Sequence, residues 1–202
     1  MNQTEFNKLI ADFNSIEDTR DQLWDRARKL FLDGYELEAD IVILATWNFA
    51  RFRYFMKNFD LNKFQKTIES IKYDLTKLKD KRLMNIDLDN PSQANLIKKI
   101  YNNLKDVVEQ TGATKLMAIR NHNLFVMWDT EIRRIYKIED NGKNAESYIT
   151  FLKQIKDRFW KIRVSGKTPL AKSVDECNYV LADKIRSGKL KLKTARRLIG
   201  IK

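Results

Sequence analysis

Apolar residues recur at intervals of three and four along nearly the whole chain. The clearest series consists of Leu61, Phe64, Ile68, Ile71, Leu75 and Leu78. This spacing places its members on one face of an α-helix, with lysines on the outer face. Only 6 glycines and 2 prolines are present, which disfavours the many tight turns of a β-sandwich or barrel. The pattern predicts an all-α fold, a compact bundle of roughly eight to ten short helices.

The chain has 202 residues, enough for one ordinary domain with a small appendage. Residues 36–58 are apolar on more than one side and predict a long, buried central helix. Composition turns basic near residues 165–170, which divides the chain into a helical domain over 1–165 and a basic C-terminal helical segment over 166–202 that packs on it. The most apolar stretch, 41–47, is far shorter than the about 20 residues that cross a bilayer, and no signal-peptide pattern is present. We therefore expect a soluble, cytoplasmic protein with no membrane partner.

Positive charge is concentrated in the last quarter of the sequence. Lysine and arginine total 39 against 27 aspartates and glutamates, a formal net charge of +12. Residues 151–202 hold 15 of those basic residues and only 4 of the acidic ones. The stretch 184–202 has no acid, and its predicted DNA-contacting residues are Lys189, Lys191, Lys193, Arg196 and Arg197. Such clusters bind phosphates with release of counterions. The sequence therefore predicts a nucleic-acid partner, with an acidic protein surface and a merely solubilising tail as alternatives.

The counts of reactive residue types exclude several classes of site. One histidine, His122, and one cysteine, Cys177, cannot form a disulfide framework or a structural zinc site. No phosphate-binding GxxxxGK[ST] loop, GxGxxG or GxSxG motif occurs. The sequence therefore predicts no cofactor and no metal site, although counting alone leaves an all-carboxylate magnesium site open.

The segment 111–136 carries the most informative chemistry. We expect a turn around Gly112 to end one helix, so that its backbone N–H groups, together with nearby arginines, can hold phosphates. Lys115 offers an amine that becomes nucleophilic if burial depresses its pKa. Asp129 offers a carboxylate at the start of a helix, able to stabilise positive charge or activate water. The DNA-contacting residues predicted here are Thr111, Gly112, Thr114, Arg133 and Arg134.

This segment resembles the helix-hairpin-helix, GPD-type DNA glycosylase superfamily. Residues 127–134, Met-Trp-Asp-Thr-Glu-Ile-Arg-Arg, are similar to that superfamily's V-D-T-H-V-R-R run, and residues 111–115, Thr-Gly-Ala-Thr-Lys, are similar to the end of its hairpin. The resemblance covers about residues 36–160, and only its part from Lys115 to Arg134 is specific. The sequence departs from the superfamily pattern in three ways. The turn has one glycine instead of two, the aspartate follows the lysine by only fourteen residues, and a glutamate replaces the histidine that often follows the aspartate.

The resemblance implies a glycosylase that excises a damaged or mismatched base from double-stranded DNA in base-excision repair. Asp129 would then stabilise the oxocarbenium-like sugar as the base leaves. Lys115 would attack C1′ and form a Schiff base, which adds a lyase step to the glycosylase reaction. Trp128, Trp47 and Phe52 would wall the pocket that receives the extruded base.

Each of these residues also has a structural interpretation. Asp129 suits the N-cap of a helix that begins at Thr130, and Lys115 suits a surface or phosphate-binding lysine. Trp47 and Trp128 occupy apolar positions typical of a core. On that interpretation the chain is a non-catalytic helical protein that binds nucleic acid through its basic C-terminal face, or an interaction protein whose tail meets an acidic partner. The enzyme interpretation requires Lys115 and Asp129 to face each other across one cleft.

Overall fold

The computed structural model of the chain describes residues 1–16, 19–46, 49–140, 142–164, 166 and 168–201, without the side chains of residues 19–21, 49–51 and 55. Within these ranges the structure is all-helical, with ten helices, 70% helical content and no strand. The helices are α1 (Gln3–Asn14), α2 (Thr19–Leu32), α3 (Glu36–Ala45), α4 (Phe49–Lys57), α5 (Leu61–Leu78), α6 (Pro91–Arg120), α7 (Thr130–Ile135), α8 (Ala145–Phe159), α9 (Leu170–Arg186) and α10 (Leu192–Leu198). The predicted all-α class and the predicted number of helices are thereby confirmed.

Short polar side chains define where several helices begin. Before α5, the Asp60 carboxylate accepts a hydrogen bond of 2.9 Å from the Lys63 N–H. The same kind of bond, to a backbone N–H of the first turn, is made by Asn2, Asn90, Asp129 and Asn144. These caps satisfy N–H groups that have no partner inside the helix. The beginnings of α1, α5, α6, α7 and α8 are therefore encoded locally in the sequence.

Residues 36–58 do not form the single buried helix that the sequence predicts. They form α3 and α4, and α3 ends where the Thr46 hydroxyl donates to the Ile43 carbonyl oxygen at 2.6 Å. On α4, Tyr54 is 71% exposed and Met56 is 41% exposed, so this second helix lies at the surface. The continuous apolar run conceals the helix end because it offers no glycine or proline as a stop signal.

The core is built around α6 and the non-helical segment that follows it, residues 121–129, called here the 121–129 segment. Helix α6 contacts α2, α3, α5 and α8. Within the 121–129 segment, the side chains of Leu124, Phe125, Val126 and Trp128 are buried, each no more than 1% exposed. The Trp128 ring lies 5.0–5.9 Å from three aromatic rings, those of Tyr101, Tyr148 and Phe151. This apolar cluster fixes the backbone from which Asp129 projects.

The basic C-terminal segment is folded against earlier helices. Helix α9 contacts α1 and α7, and α10 contacts α7 and α9. The end of the chain is anchored by Ala195, Ile199 and Ile201, which are 0%, 0% and 8% exposed. A division of the chain at residue 165 stays a prediction. Among the helices of the described ranges, none combines the length and the apolar character needed to cross a membrane.

Candidate functional site

The predicted turn at residues 110–112 is displaced, and three predicted DNA contacts fall inside the protein. The break in α6 lies at Glu109, whose backbone angles are φ 58° and ψ 176°. Thr111, Gly112 and Thr114 lie in the helix after this break and are buried. The Thr114 hydroxyl donates to the Thr111 carbonyl oxygen and accepts the Trp128 N–H, at 3.1 and 3.3 Å. The prediction that these three residues contact DNA is therefore wrong, because packing leaves them almost no accessible surface.

Arg133 and Trp128 stabilise this break instead of forming a DNA contact and a pocket wall. Arg133 is 6% exposed, donates to the hydroxyls of Thr111 and Thr130 at 3.4 and 3.2 Å, and lies 5.5 Å from the Trp128 ring centroid. The Trp128 indole N–H donates to the Gln110 carbonyl oxygen at 3.2 Å. Both predicted roles are wrong because the two side chains are buried in the core, where they tie α7 to the second half of α6.

Gly142 completes the packing around Trp128. Its φ is +77°, and a β-carbon placed on it would lie 2.7 Å from Cζ2 of Trp128 and 3.1 Å from Cδ of Arg133. The Tyr101 hydroxyl donates to the Gly142 carbonyl oxygen. A side chain at this position would have to displace two buried groups, so glycine is required by both backbone conformation and space.

Asp129 is the N-cap of α7 and also forms an ion pair. Its carboxylate accepts a 2.8 Å hydrogen bond from the Ile132 N–H, and Oδ2 lies 3.0 Å from Nη1 of Arg186 on α9. The two side chains are 37% and 40% exposed. The structural interpretation of Asp129 as a cap is confirmed. A catalytic role for this carboxylate stays a prediction.

Lys115 is half-buried and is directed to the end of α3. Its Nζ donates to the Thr46 hydroxyl oxygen at 2.7 Å. The contacts of the predicted amine and acid therefore lead to different helices, α3 for Lys115 and α9 for Asp129. The expectation that they converge on one cleft finds no support in these contacts. Of the predicted pocket walls, Phe52 is partly buried against the core, and Trp47 lies outside the described residues.

A buried acid, Asp175 on α9, bonds to the backbone of the 121–129 segment. Its carboxylate accepts the Met127 N–H at 2.6 Å, while the Tyr148 hydroxyl donates to the Val126 carbonyl oxygen at 3.0 Å. Burial raises the pKa of Asp175 well above its usual range, against the opposing effect of nearby Lys172. No role for Asp175 is predicted from the sequence, although its position next to Val174 in the buried stripe of α9 is a signal that its side chain is buried.

The C-terminal cations, in contrast, are accessible. Lys189, Lys191, Lys193 and Arg197 are exposed, while Arg196 is half-buried and donates to the Arg134 carbonyl oxygen at 2.7 Å. That bond places α10 beside the exposed end of α7. We define the C-terminal cationic surface as Arg134, Lys189, Lys191, Lys193 and Arg197.

Two acids at the start of α7, Glu131 and Asp129, are already paired. Glu131 lies 2.8 Å from Nη1 of Arg134, and Asp129 is bound by Arg186. The four exposed cations at 189–197 have no ion pair within the described part of the chain. Lys189, Lys191, Lys193 and Arg197 can therefore bind an external anion without first breaking an internal ion pair, whereas Arg134 is already paired.

Across the described ranges, no group of three or more His, Cys, Asp and Glu side chains is arranged to bind a metal ion. Comparisons with protein-family models, with curated proteins and with solved structures found no match for this chain.

Proposed function

We propose that this chain is a non-catalytic helical protein that binds nucleic acid by contacting phosphates through the C-terminal cationic surface. The proposal depends on one observation, which is that the exposed cations at 189–197 belong to a folded surface. Ala195, Ile199 and Ile201 anchor α10 in the core, and Arg196 bonds to the end of α7. Cations held in this way lose less conformational freedom on binding than cations on a loose tail.

The charge of this surface favours a polyphosphate ligand. Lys193 and Arg197 are four residues apart on α10 and so lie on the same helix face, with Lys189 and Lys191 on the approach to it. Each phosphate neutralised by such a side chain releases counterions, so that binding is strong at low salt and tolerant of sequence. A merely solubilising role would require no anchoring of α10.

The catalytic alternative has less support from the contacts. A lysine that attacks C1′ needs access to the sugar, and an aspartate that stabilises the oxocarbenium ion needs to lie beside it. Here Lys115 is bonded to Thr46, and Asp129 is bonded to the Ile132 N–H and to Arg186. Glycosylase activity and membership of the helix-hairpin-helix superfamily stay predictions from the sequence resemblance.

The proposal is tested by the salt dependence of binding to a labelled 20-base-pair duplex, measured by fluorescence anisotropy. The test variant combines Lys191→Ala, Lys193→Ala and Arg197→Ala. The slope of log K against log salt is expected to fall by about 0.9 for each phosphate that the variant no longer neutralises. The matched control combines Lys8→Ala, Lys29→Ala and Lys79→Ala, which removes three exposed lysines elsewhere. An equal decrease in both triple variants, or no decrease in the test variant, would refute the proposal.

A further inference from the structure

We infer that the groove between α5 and α6 binds single-stranded nucleic acid, with phosphates at Lys63 and Lys66 and an unpaired base stacked on Tyr73. The groove shares no residue with the C-terminal cationic surface, so this site goes beyond the function proposed above. Three features of the structure carry the inference: a line of side chains on α5, a polar groove beside it, and an exposed aromatic ring paired with a cation.

The line of side chains runs along the solvent face of α5. It consists of Lys63, Lys66, Ser70, Tyr73 and Lys77, all of them exposed. The steps of three, four, three and four residues keep these side chains within one stripe of the helix. At 1.5 Å per residue the stripe is about 21 Å long. Cations, a hydroxyl and an aromatic ring are thus presented in one direction, as an extended strand would need.

The groove lies along the first half of this stripe. It has a volume of about 520 Å³, and its lining includes Lys63, Lys66 and Ser70 from α5 and Asn103, Asp106 and Val107 from α6. Apart from Val107, its walls are polar. Ammonium, hydroxyl and amide groups from two helices can all donate hydrogen bonds to phosphate oxygens.

Two acids, Asp60 and Asp106, line the groove together with Lys63 and Lys66, and each acid has a contact of its own. Asp60 caps α5 by accepting the Lys63 N–H, and Asp106 lies 3.8 Å from Nζ of Lys105. Beside the stripe, Glu69 pairs with Lys72 at 2.7 Å. Within the described part of the chain, Lys63 and Lys66 have no ion pair. Their charges are therefore accessible to an anion that enters the groove.

Tyr73 indicates that the anion is a single strand. Its side chain is 71% exposed, and Nζ of Lys77 lies 4.1 Å from its ring centroid. An exposed aromatic ring flanked by cations is a stacking platform for nucleobases. In a duplex both faces of each base are covered by neighbouring bases, so that a ring on a straight helix face can stack only on an unpaired base.

The test uses fluorescein-labelled dT15 and a 15-base-pair duplex at low salt, with anisotropy as the readout. Tyr73→Ala is expected to weaken dT15 binding roughly five- to 150-fold, the range found when one base–aromatic stack is removed. Tyr73→Phe is expected to bind within about twofold of the wild type, because the ring is kept. The double variant Lys63→Ala and Lys66→Ala should reduce the salt dependence of dT15 binding. The double variant Lys57→Ala and Lys79→Ala is the matched control, since both lysines are exposed, lie outside the stripe and the groove, and form no ion pair within the described part of the chain.

A second readout locates the contact directly. Photo-crosslinking with dT15 that contains 5-iododeoxyuridine should label the peptide that holds Tyr73. The site is refuted if the wild type does not bind dT15, if Tyr73→Ala binds it as tightly as Tyr73→Phe, or if binding to vesicles with anionic lipids depends on Tyr73 while binding to dT15 does not.

The two sites can fail independently. The variant with Lys191→Ala, Lys193→Ala and Arg197→Ala is expected to bind dT15 more weakly than the wild type. Adding Tyr73→Ala to this triple variant should reduce the affinity for dT15 by the same factor as adding it to the wild type. If that triple variant binds like the wild type while Tyr73→Ala still weakens dT15 binding, the proposed C-terminal surface is wrong and the groove stands. If the triple variant weakens binding and Tyr73→Ala does not, the proposed site in the groove is refuted and the proposed C-terminal cationic surface is supported.

Discussion

Arg120 at the end of α6 and Asp40 on α3 form a buried, two-pronged ion pair, with N–O distances of 2.6 and 2.7 Å. The two side chains are 4% and 1% exposed. The Arg120 guanidinium also lies 5.6 Å from the Phe31 ring centroid on α2. This pair therefore connects three helices at a point from which water is excluded.

Removing one partner of this pair is expected to be strongly destabilising, because the other charge would stay buried and unpaired. We expect Asp40→Asn and Arg120→Met each to lower the free energy of unfolding by about 3–5 kcal/mol. Urea unfolding followed by circular dichroism measures the effect. The double variant Asp40→Leu and Arg120→Met should recover a large part of the decrease. A single variant that unfolds like the wild type would show that the pair is solvated in solution.

The proposed function predicts that Lys115 forms no covalent intermediate with DNA. After borohydride treatment with duplexes that each carry one damaged or mismatched base, we expect the wild type to give no more adduct than Lys115→Gln. Asp129→Asn should still bind the duplexes, because the amide oxygen of the new side chain can still cap α7. The substitution also removes the ion pair with Arg186, which is half-exposed and worth about 1 kcal/mol or less. A trapped adduct that is absent from Lys115→Gln would establish the glycosylase–lyase interpretation instead.

Gly142→Ala is expected to destabilise the fold by about 3 kcal/mol, because the new methyl group would meet the Trp128 ring and the backbone has a positive φ. Thermal unfolding measures the change. Gly188→Ala is the matched control: Gly188 has a φ of +72° with nothing within 4 Å of its added β-carbon, so that only the backbone cost of about 1 kcal/mol is expected. Equal destabilisation in the two variants would mean that Trp128 moves aside freely.

Asp175→Asn is expected to raise the free energy of unfolding at pH 7 by about 1 kcal/mol, since the amide oxygen can accept the Met127 N–H and the amide has no proton to lose on unfolding. Burial raises the pKa of Asp175 in the folded state, so that ionisation of this carboxyl in the unfolded chain lowers the stability of the fold as the pH rises above the unfolded pKa. The advantage of the variant should therefore shrink as the pH falls through about 4, where the unfolded carboxylate takes up its proton.

The wild type and Asp175→Asn both contain His122, and burial lowers the pKa of this histidine to about 4. As the pH falls from 6.5 to 4, His122 therefore lowers the stability of both proteins. This contribution cancels when the free energy of unfolding of one protein is subtracted from that of the other. Urea titrations between pH 3 and 7 measure the two curves. A variant that is less stable than the wild type at pH 7 would show that the ionised carboxylate is needed, with Lys172 as its counter-charge.

How far the sequence predicts this structure depends on whether the deciding interactions are local. Helix α5 matches its apolar series from Leu61 to Leu78 because the series and the Asp60 cap are both encoded within the helix. The sequence predicts a turn around Gly112, but the break in α6 falls at Glu109, since Trp128 and Arg133 bond to Gln110 and Thr111 and hold an unfavourable backbone conformation in place. That choice is made by tertiary contacts, which a helical period does not contain.

The candidate site is predicted less well for a similar reason. The spacing of Lys115 and Asp129 fixes how far apart they are along the chain but not the direction of their side chains, which depends on Thr46 and Arg186 from distant helices. The accessibility of Lys189, Lys191, Lys193 and Arg197 can be expected from the sequence, since a long run of cations without acids is rarely buried. The stripe of exposed side chains on α5 can be predicted from the sequence as a lysine-rich outer face. The groove beside it cannot, because its other wall is formed by residues of α6.

The hydrogen bond between Met127 and Asp175 also bears on how the protein is made. The two residues are 48 positions apart, so a growing polypeptide on the ribosome has already released the 121–129 segment when α9 does not yet exist. Until α9 has emerged, the amide of Met127 lacks this acceptor and the apolar side chains around it lack their cover. Because synthesis runs from the N to the C terminus, the core around the 121–129 segment can complete its packing only after α9 has left the ribosome.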